Sequence, residues 1–342
     1  MKQGCYTALI TPFKNDGIDY QEIEKLIEFQ IENRISGILV FGTTGESPTI
    51  EPNEQTSLID FAGKLIKDRT MFIAGTGSNN TAKTLKSTEY AVKAGADAAL
   101  LVDPYYNGPS SLEIRKEYIS PVAKAFPQTE IIPYIIPSRT GTKLFAEDMA
   151  ILKEEFSNIK AVKEATGDFD NMKKIRYFCP ENFSIFSGDD ANTYKMMTDP
   201  DILASGVISV ISNIAPKAIA DMVSFINKGE QDKAKTIAFA MAPLFNLVTF
   251  GVSEKTPYGE VFYKFKNPLP IKTAMNILGM PAGRCRRPLG KMTKDGVDMI
   301  IRAIRKVHSA DPEILKPIAN FFNVDIIERI NNSDYITDLF YS

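Results

Sequence analysis

The chain has 342 residues, and its 40 Lys and Arg nearly balance its 42 Asp and Glu, so it lacks the basic excess that a nucleic-acid partner would need. Hydrophobic residues make up 44% and charged residues 24%, the balance of a globular chain that buries its core without disulfides or metals. The three cysteines, Cys5, Cys179 and Cys285, match no metal or disulfide spacing, and the one histidine, His308, comes late, which argues against a Ser-His-Asp triad and against most catalytic zinc sites. Such cysteine usage fits a reducing compartment. With no apolar signal core after Met1 and no run of transmembrane length, the expected location is the cytoplasm, with no membrane partner.

In chain order, apolar segments read as strands at 6–10, 37–41, 71–74, 98–102, 130–135, 159–163, 184–186 and 206–210. Amphipathic stretches between them, at 20–33, 54–66, 81–93 and 146–156 among others, read as helices. Alternation of this kind is the mark of a βα repeat, and the strand candidates are as many as a (β/α)₈ TIM barrel requires. A doubly wound open sheet would put a glycine-rich phosphate loop after its first strand, where this chain has Thr11-Pro12-Phe13. Gly75-Thr76-Gly77 is not a complete dinucleotide fingerprint either, because Asn80 stands where the third glycine belongs.

The alternation stops after about Ala215, and helical patterns follow at 217–227, 231–247, 271–278 and 294–307. The expected division is a catalytic barrel over 1–228, a small C-terminal helical domain over 229–307 and an extension over 308–342. The segment 249–266, rich in Gly, Pro and Tyr, reads as a loop. Apolar clusters at Phe321-Phe322, Ile326-Ile327 and Leu339-Phe340 predict that the extension packs against the rest of the chain.

In a TIM barrel the chemistry sits at the C-terminal ends of the strands. Here those ends carry Thr43 and Thr44, Tyr105 and Tyr106, Tyr134 to Arg139, Lys163 and Gly188-Asp189-Asp190. Strand alternation puts Ile159, Ala161 and Lys163 on one face. Facing inward, Lys163 would lose solvent, its pKa would fall and its free amine could attack a carbonyl. Facing outward, it is an ordinary surface lysine. Tyr134 can exchange a proton with a nascent carbinolamine or serve as packing. Thr43 and Thr44 can hydrogen-bond a carboxylate, and Arg139 offers it a planar fork.

Taken together, Gly42-Thr43-Thr44-Gly45-Glu46-Ser47, Gly75-Thr76-Gly77, Pro104-Tyr105-Tyr106-Asn107, Tyr134 through Pro137-Ser138-Arg139-Thr140-Gly141, Lys163-Glu164-Ala165-Thr166-Gly167, Ser187-Gly188-Asp189-Asp190, Gly206-Val207-Ile208-Ser209 and Asn267-Pro268 with Pro270 and Lys272 resemble the dihydrodipicolinate synthase/N-acetylneuraminate lyase family over residues 1 to about 305. The resemblance implies a class I, Schiff-base lyase with no cofactor and no metal. It implies that Lys163 forms an imine with pyruvate and that Tyr134, Thr43 and Tyr106 relay protons, with Tyr106 supplied by the neighbouring subunit. Thr44 would hold the pyruvate carboxylate, Arg139 the carboxylate of aspartate-4-semialdehyde, and Gly188 and Ile208 would line the site. The product would be 4-hydroxy-tetrahydrodipicolinate, a lysine-pathway intermediate. The family's habit suggests a homo-oligomer, a dimer or a dimer of dimers.

Ser138-Arg139 after the proline points to the synthase branch. The alternative is another pyruvate-dependent lyase of the family, acting on 2-keto-3-deoxy sugar acids or N-acetylneuraminate. A silent scaffold would have lost the lysine, a tyrosine or the threonine pair. The chain departs from the family's pattern at Ile135-Ile136, in the length of 249–266 and after about Val307. Family members inhibited by lysine carry a glutamate where Lys83 stands here, so the resemblance implies a chain insensitive to lysine.

Overall fold

In the computed structural model, which describes residues 1–180 and 182–342, eight parallel strands close into a barrel. They are Gly4–Ala8, Gly37–Val40, Met71–Gly75, Ala98–Val102, Glu130–Ile135, Ala161–Glu164, Ser184–Ser187 and Gly206–Ser209. Each pairs with the next, and the last pairs with the first through Gly4–Gly206 and Tyr6–Ile208. The first strand starts two residues earlier than its apolar run. There Gly4 and Gly206 bring two backbones so close that a Cβ on Gly206 would collide with the Gly4 carbonyl.

Alternation along the strands sorts side chains into two apolar layers. Tyr6, Leu39, Ile73, Leu100, Ile132 and Phe186 fill the barrel, and Tyr6 meets Phe186 edge to face with ring centroids 5.3 Å apart. Ile38, Phe72, Leu101, Ile131, Val162 and Ile185 point outward into the larger core beneath the helices. Ile159 lies before its strand begins and belongs to that outer core, so the inward face it was expected to share holds Ala161 and Lys163 only.

Local chemistry starts the helices where the sequence suggests. Asp19 accepts from the Glu22 amide to cap Tyr20–Glu32, Asn80 from Lys83 to cap Thr81–Lys93, and Asp168 from Asn171 to cap Phe169–Phe178. Pro52 and Pro216 sit in the first turns of Pro52–Ile66 and Pro216–Asn227, where no amide donor is missed. After the barrel come the helices Gln231–Phe245, Leu269–Ile277 and Lys294–Ala310, and the extension adds the shorter Lys316–Phe322 and Ile326–Asn331.

Residues 249–266 are not a loop. They form an antiparallel hairpin, Thr249–Thr256 paired with Gly259–Lys266 around Pro257-Tyr258. Phe250 pairs with Phe265, both pack on the core, and Val252 is buried. The extension is packed as expected. Ile314, Leu315 and Ile318 are buried, Phe321 and Phe322 close over Phe29 with centroids 5.3 and 5.2 Å away, and Arg329 donates to the carbonyls of Asn276 and Ile277. It ends in a parallel bridge between Phe340 and Met292.

Because Ile318 anchors this extension from full burial, Ile318→Ala should weaken its docking by about 2–4 kcal/mol. Hydrogen exchange should report this as faster exchange across residues 311–340, with the barrel strands unchanged. Equal protection in the variant would show that the extension is held elsewhere.

Candidate active site

The fifth and sixth strands pair with Tyr134 opposite Lys163, so two inward-pointing side chains meet at the top of the barrel. The Lys163 Nζ lies 4.3 Å from the centroid of the Tyr134 ring. Lys163 is only 4% exposed, and no carboxylate lies within ion-pair distance of it among the described residues. Burial pulls its pKa down to about 7; the Asp190 carboxylate opposes that fall and the Arg139 charge adds to it. Burial pushes the Tyr134 phenol up to about 12, against the pull of Arg139 and the Thr43 hydroxyl. Near neutral pH a large share of the amine is therefore unprotonated, beside a protonated phenol.

Gly188 leaves room for the amine's stem: a Cβ there would stand 3.1 Å from Lys163 Cε and 2.8 Å from Ala165 Cβ. Asp190 is buried and fixed, accepting from the Ser209 hydroxyl and from the amides of Val210 at 2.9 Å and Ile211 at 3.3 Å. It supplies the largest opposing charge at Lys163, a role that its place in the sequence motif did not disclose.

Above the amine lies a cavity of about 300 Å³. Its wall includes Thr43, Thr44, Tyr134, Arg139, Lys163 and Gly188, so the structure brings together six of the eight residues singled out from sequence. Ile208 is not among them; it is fully buried inside the barrel, and the wall on that side is Val210, just past the strand's end. Tyr106 is also absent: it is 90% exposed, at φ +82°, and is not part of its own chain's cavity wall.

Asn267 is the residue that sequence reasoning left without a role. Its side-chain amide donates to Thr44 Oγ1 at 2.9 Å, and its main-chain carbonyl accepts from Arg139 Nη2 at 2.7 Å. One buried asparagine thus links the two groups expected to hold carboxylates. The turn carrying Thr43 and Thr44 is braced from behind. Glu46, in the left-handed region at φ 59°, pairs with Lys272 at 2.8 Å, and Lys272 also donates to the carbonyls of Thr11 and Arg284.

A second depression holds Asn79, Tyr105 and Glu117. Lys83 is exposed and is not part of its wall in the single chain.

A buried amine without a counter-ion costs stability. Lys163→Met keeps the volume and removes the amine, so its melting temperature should rise by about 2 °C or more. A calorimetric scan showing a fall would mean that the lysine is better solvated than its surroundings imply.

The comparisons agree with this geometry. A relative from Methanococcus vannielii named 4-hydroxy-tetrahydrodipicolinate synthase is 40% identical over 292 residues, covering 85% of this chain and 94% of its own. One of the same name from Hydrogenobaculum is 39% identical over 306 residues, covering 90% and 99%. The solved 4-hydroxy-tetrahydrodipicolinate synthase of Methylacidiphilum fumariolicum superposes with a TM-score of 0.83 at 34% identity, covering 92% of this chain and 99% of that one. Residues 1–307 match the model of the dihydrodipicolinate synthetase family, and the chain belongs to that family.

Proposed function

We propose that this chain is a Schiff-base lyase that condenses pyruvate with L-aspartate-4-semialdehyde to 4-hydroxy-tetrahydrodipicolinate, the reaction that its relatives' shared name implies. The observation that carries the proposal is the buried Lys163 amine, held near pKa 7 and in register with Tyr134.

The neutral amine attacks C2 of pyruvate, and the Tyr134 phenol gives a proton to the oxygen, which leaves as water. The protonated imine draws electrons from the methyl carbon, a proton departs, and the enamine carbon attacks the aldehyde carbon. The new alkoxide takes a proton. The amino group of the added substrate then attacks the imine carbon, closes the ring and releases Lys163. One water is lost overall, which balances pyruvate and the semialdehyde against the cyclic product. The lysine is itself the electron sink, so this scheme calls on no metal or organic cofactor.

Thr44 holds the pyruvate carboxylate and Arg139 that of the aldehyde, with Asn267 fixing both. Thr43 passes protons to Tyr134, and Tyr106 joins the relay from a second copy, which makes the working unit a homo-oligomer, a dimer or a dimer of dimers. In this scheme the barrel, 1–228, carries the reacting groups, while 229–307 closes the mouth through Asn267. The setting is cytoplasmic; no helix among the described residues is long and apolar enough to cross a membrane.

Borohydride added with pyruvate should reduce the imine and leave a pyruvyl adduct on Lys163 by peptide mass. Only the unprotonated amine attacks, so trapping should quicken as pH rises through about 7 and then level off. An adduct on another lysine, or none, would refute the mechanism.

Arg139→Ala should leave this adduct intact yet lower kcat/KM for the aldehyde by an amount on the order of 2–3 kcal/mol, the worth of one charged hydrogen-bonded contact. Steady-state rates with the aldehyde varied would check it, and unchanged values would remove Arg139 from that role.

A further inference from the structure

The hairpin 249–266 does more than connect two helices. Its pairing puts Phe250, Val252, Tyr263 and Phe265 on one face, with Phe250 and Phe265 against the core and Val252 buried. Thr249, Gly251, Lys264 and Lys266 share the other face. Phe262 folds its ring over Gly251, where any Cβ would strike it, so the strands are locked at their base and the register of the two lysines is set. Lys264, Lys266 and Thr249 are part of the wall of the cavity that holds Lys163 and Arg139.

This gives the mouth three cations against a single carboxylate on the wall, Asp189. Among the described residues, no carboxylate lies within ion-pair distance of Lys264, Lys266 or Arg139. The Asp189 carboxylate, also on the wall, is occupied by its own turn, accepting from the Ala191 amide at 3.1 Å and from Asn192 Nδ2 at 2.8 Å. Lys266 donates to the Ser138 carbonyl at 3.2 Å, which places it beside the turn that carries Arg139. Partial burial, then Arg139 and then Lys264 hold its pKa below the usual lysine range. Like charges gathered around a concave opening repel one another until an anion enters, and they draw anions in from solution.

We propose that Lys264 and Lys266 form, with Arg139, an anion-recognising rim that selects aldehydes bearing a carboxylate or another anionic group for the second half-reaction. The proposal rests on the Schiff-base reading above. Lys264 and Lys266 come from the hairpin rather than from the strand that carries Lys163, so the rim is assigned to the incoming aldehyde and not to pyruvate. It is a specificity device carried by the hairpin.

The test uses the full chain with Lys264→Gln, Lys266→Gln and the double variant; glutamine removes charge but keeps a donor for the Ser138 carbonyl. At saturating pyruvate, the double variant should lower kcat/KM for aspartate-4-semialdehyde by about tenfold at low salt, mainly through KM. Wild-type kcat/KM should fall as salt is raised, and that of the double variant should be nearly flat. Glyceraldehyde, which carries no anionic group, should be handled alike by both proteins. Pyruvate trapping by borohydride should match wild type throughout. If trapping succeeds but the double variant keeps both the aldehyde KM and the salt dependence, the rim is refuted. It is refuted equally if only Lys266→Ala, and not Lys266→Gln, lowers activity, since Lys266 would then merely pin the turn. Wild-type protein that gives no pyruvate adduct would instead overturn the underlying imine reading.

Discussion

Removing Lys163 from water is the constraint on which the rest of the site depends. An ammonium in bulk solvent is protonated at neutral pH and cannot attack a carbonyl. Here the inner surface of the barrel does the desolvating. Ala161 precedes Lys163 on the inward face, Phe186 stands opposite it on the next strand, and Tyr134 lies opposite on the previous one. A slip of one residue in the sixth strand would turn Lys163 out toward the helices and Val162 or Glu164 inward. The chemistry is therefore tied to barrel register, and register to the apolar alternation that fills both layers.

The same logic explains why the surroundings of Lys163 are small and fixed. Gly188 gives up a side chain so that the lysine stem can pass, and Asp190 is close enough to affect the amine yet spends its hydrogen bonds on Ser209 and the amides beyond it. A free carboxylate at Lys163 would hold the proton on and restore the ammonium. Where full charge is present, it is used as a brace. Glu46 and Lys272 form a buried pair whose remaining hydrogen-bonding capacity goes to the Arg286 amide and the carbonyls of Thr11 and Arg284. That pair ties the helix Leu269–Ile277 to the Thr43-Thr44 turn. Breaking one side would strand a buried charge, so the turn and the C-terminal helices hold together or fail together.

How much of this could be seen beforehand followed from distance along the chain. Strands with alternating or continuous apolar residues were visible, and strand ends pointed to Thr43, Thr44, Tyr134, Arg139, Lys163 and Gly188. Ile208 was expected in the wall on the resemblance alone; its strand stops at Ser209, and Val210 lines the cavity instead. The hairpin was missed because Gly251, Pro257 and Gly259 look like loop punctuation. The alternation in Val261-Phe262-Tyr263-Lys264-Phe265-Lys266, set off by Pro257-Tyr258-Gly259, is the strand signal that was there to be read. Asn267 with Arg139, and Glu46 with Lys272, are pairs separated by 128 and 226 residues, and no local period reports such contacts.

The hairpin and the extension after residue 307 lie in different parts of the molecule, and physics asks different things of each. The extension after residue 307 buries Leu315 and Ile318 and closes over Phe29 on the outer side of the first barrel helix. None of its residues reaches the cavity, so it can change stability without touching the reaction. The hairpin, in contrast, lies between Gln231–Phe245 and Leu269–Ile277 and ends one residue before Asn267, which holds both Thr44 and Arg139. A hairpin there is rigidly coupled to the site because its last strand runs directly into the bracing residue. Charge placed on that strand is therefore charge placed at the mouth. A TIM barrel holds its reacting groups on the strands and varies its loops above them, and here the variation is a pair of strands whose inner edge is lysine.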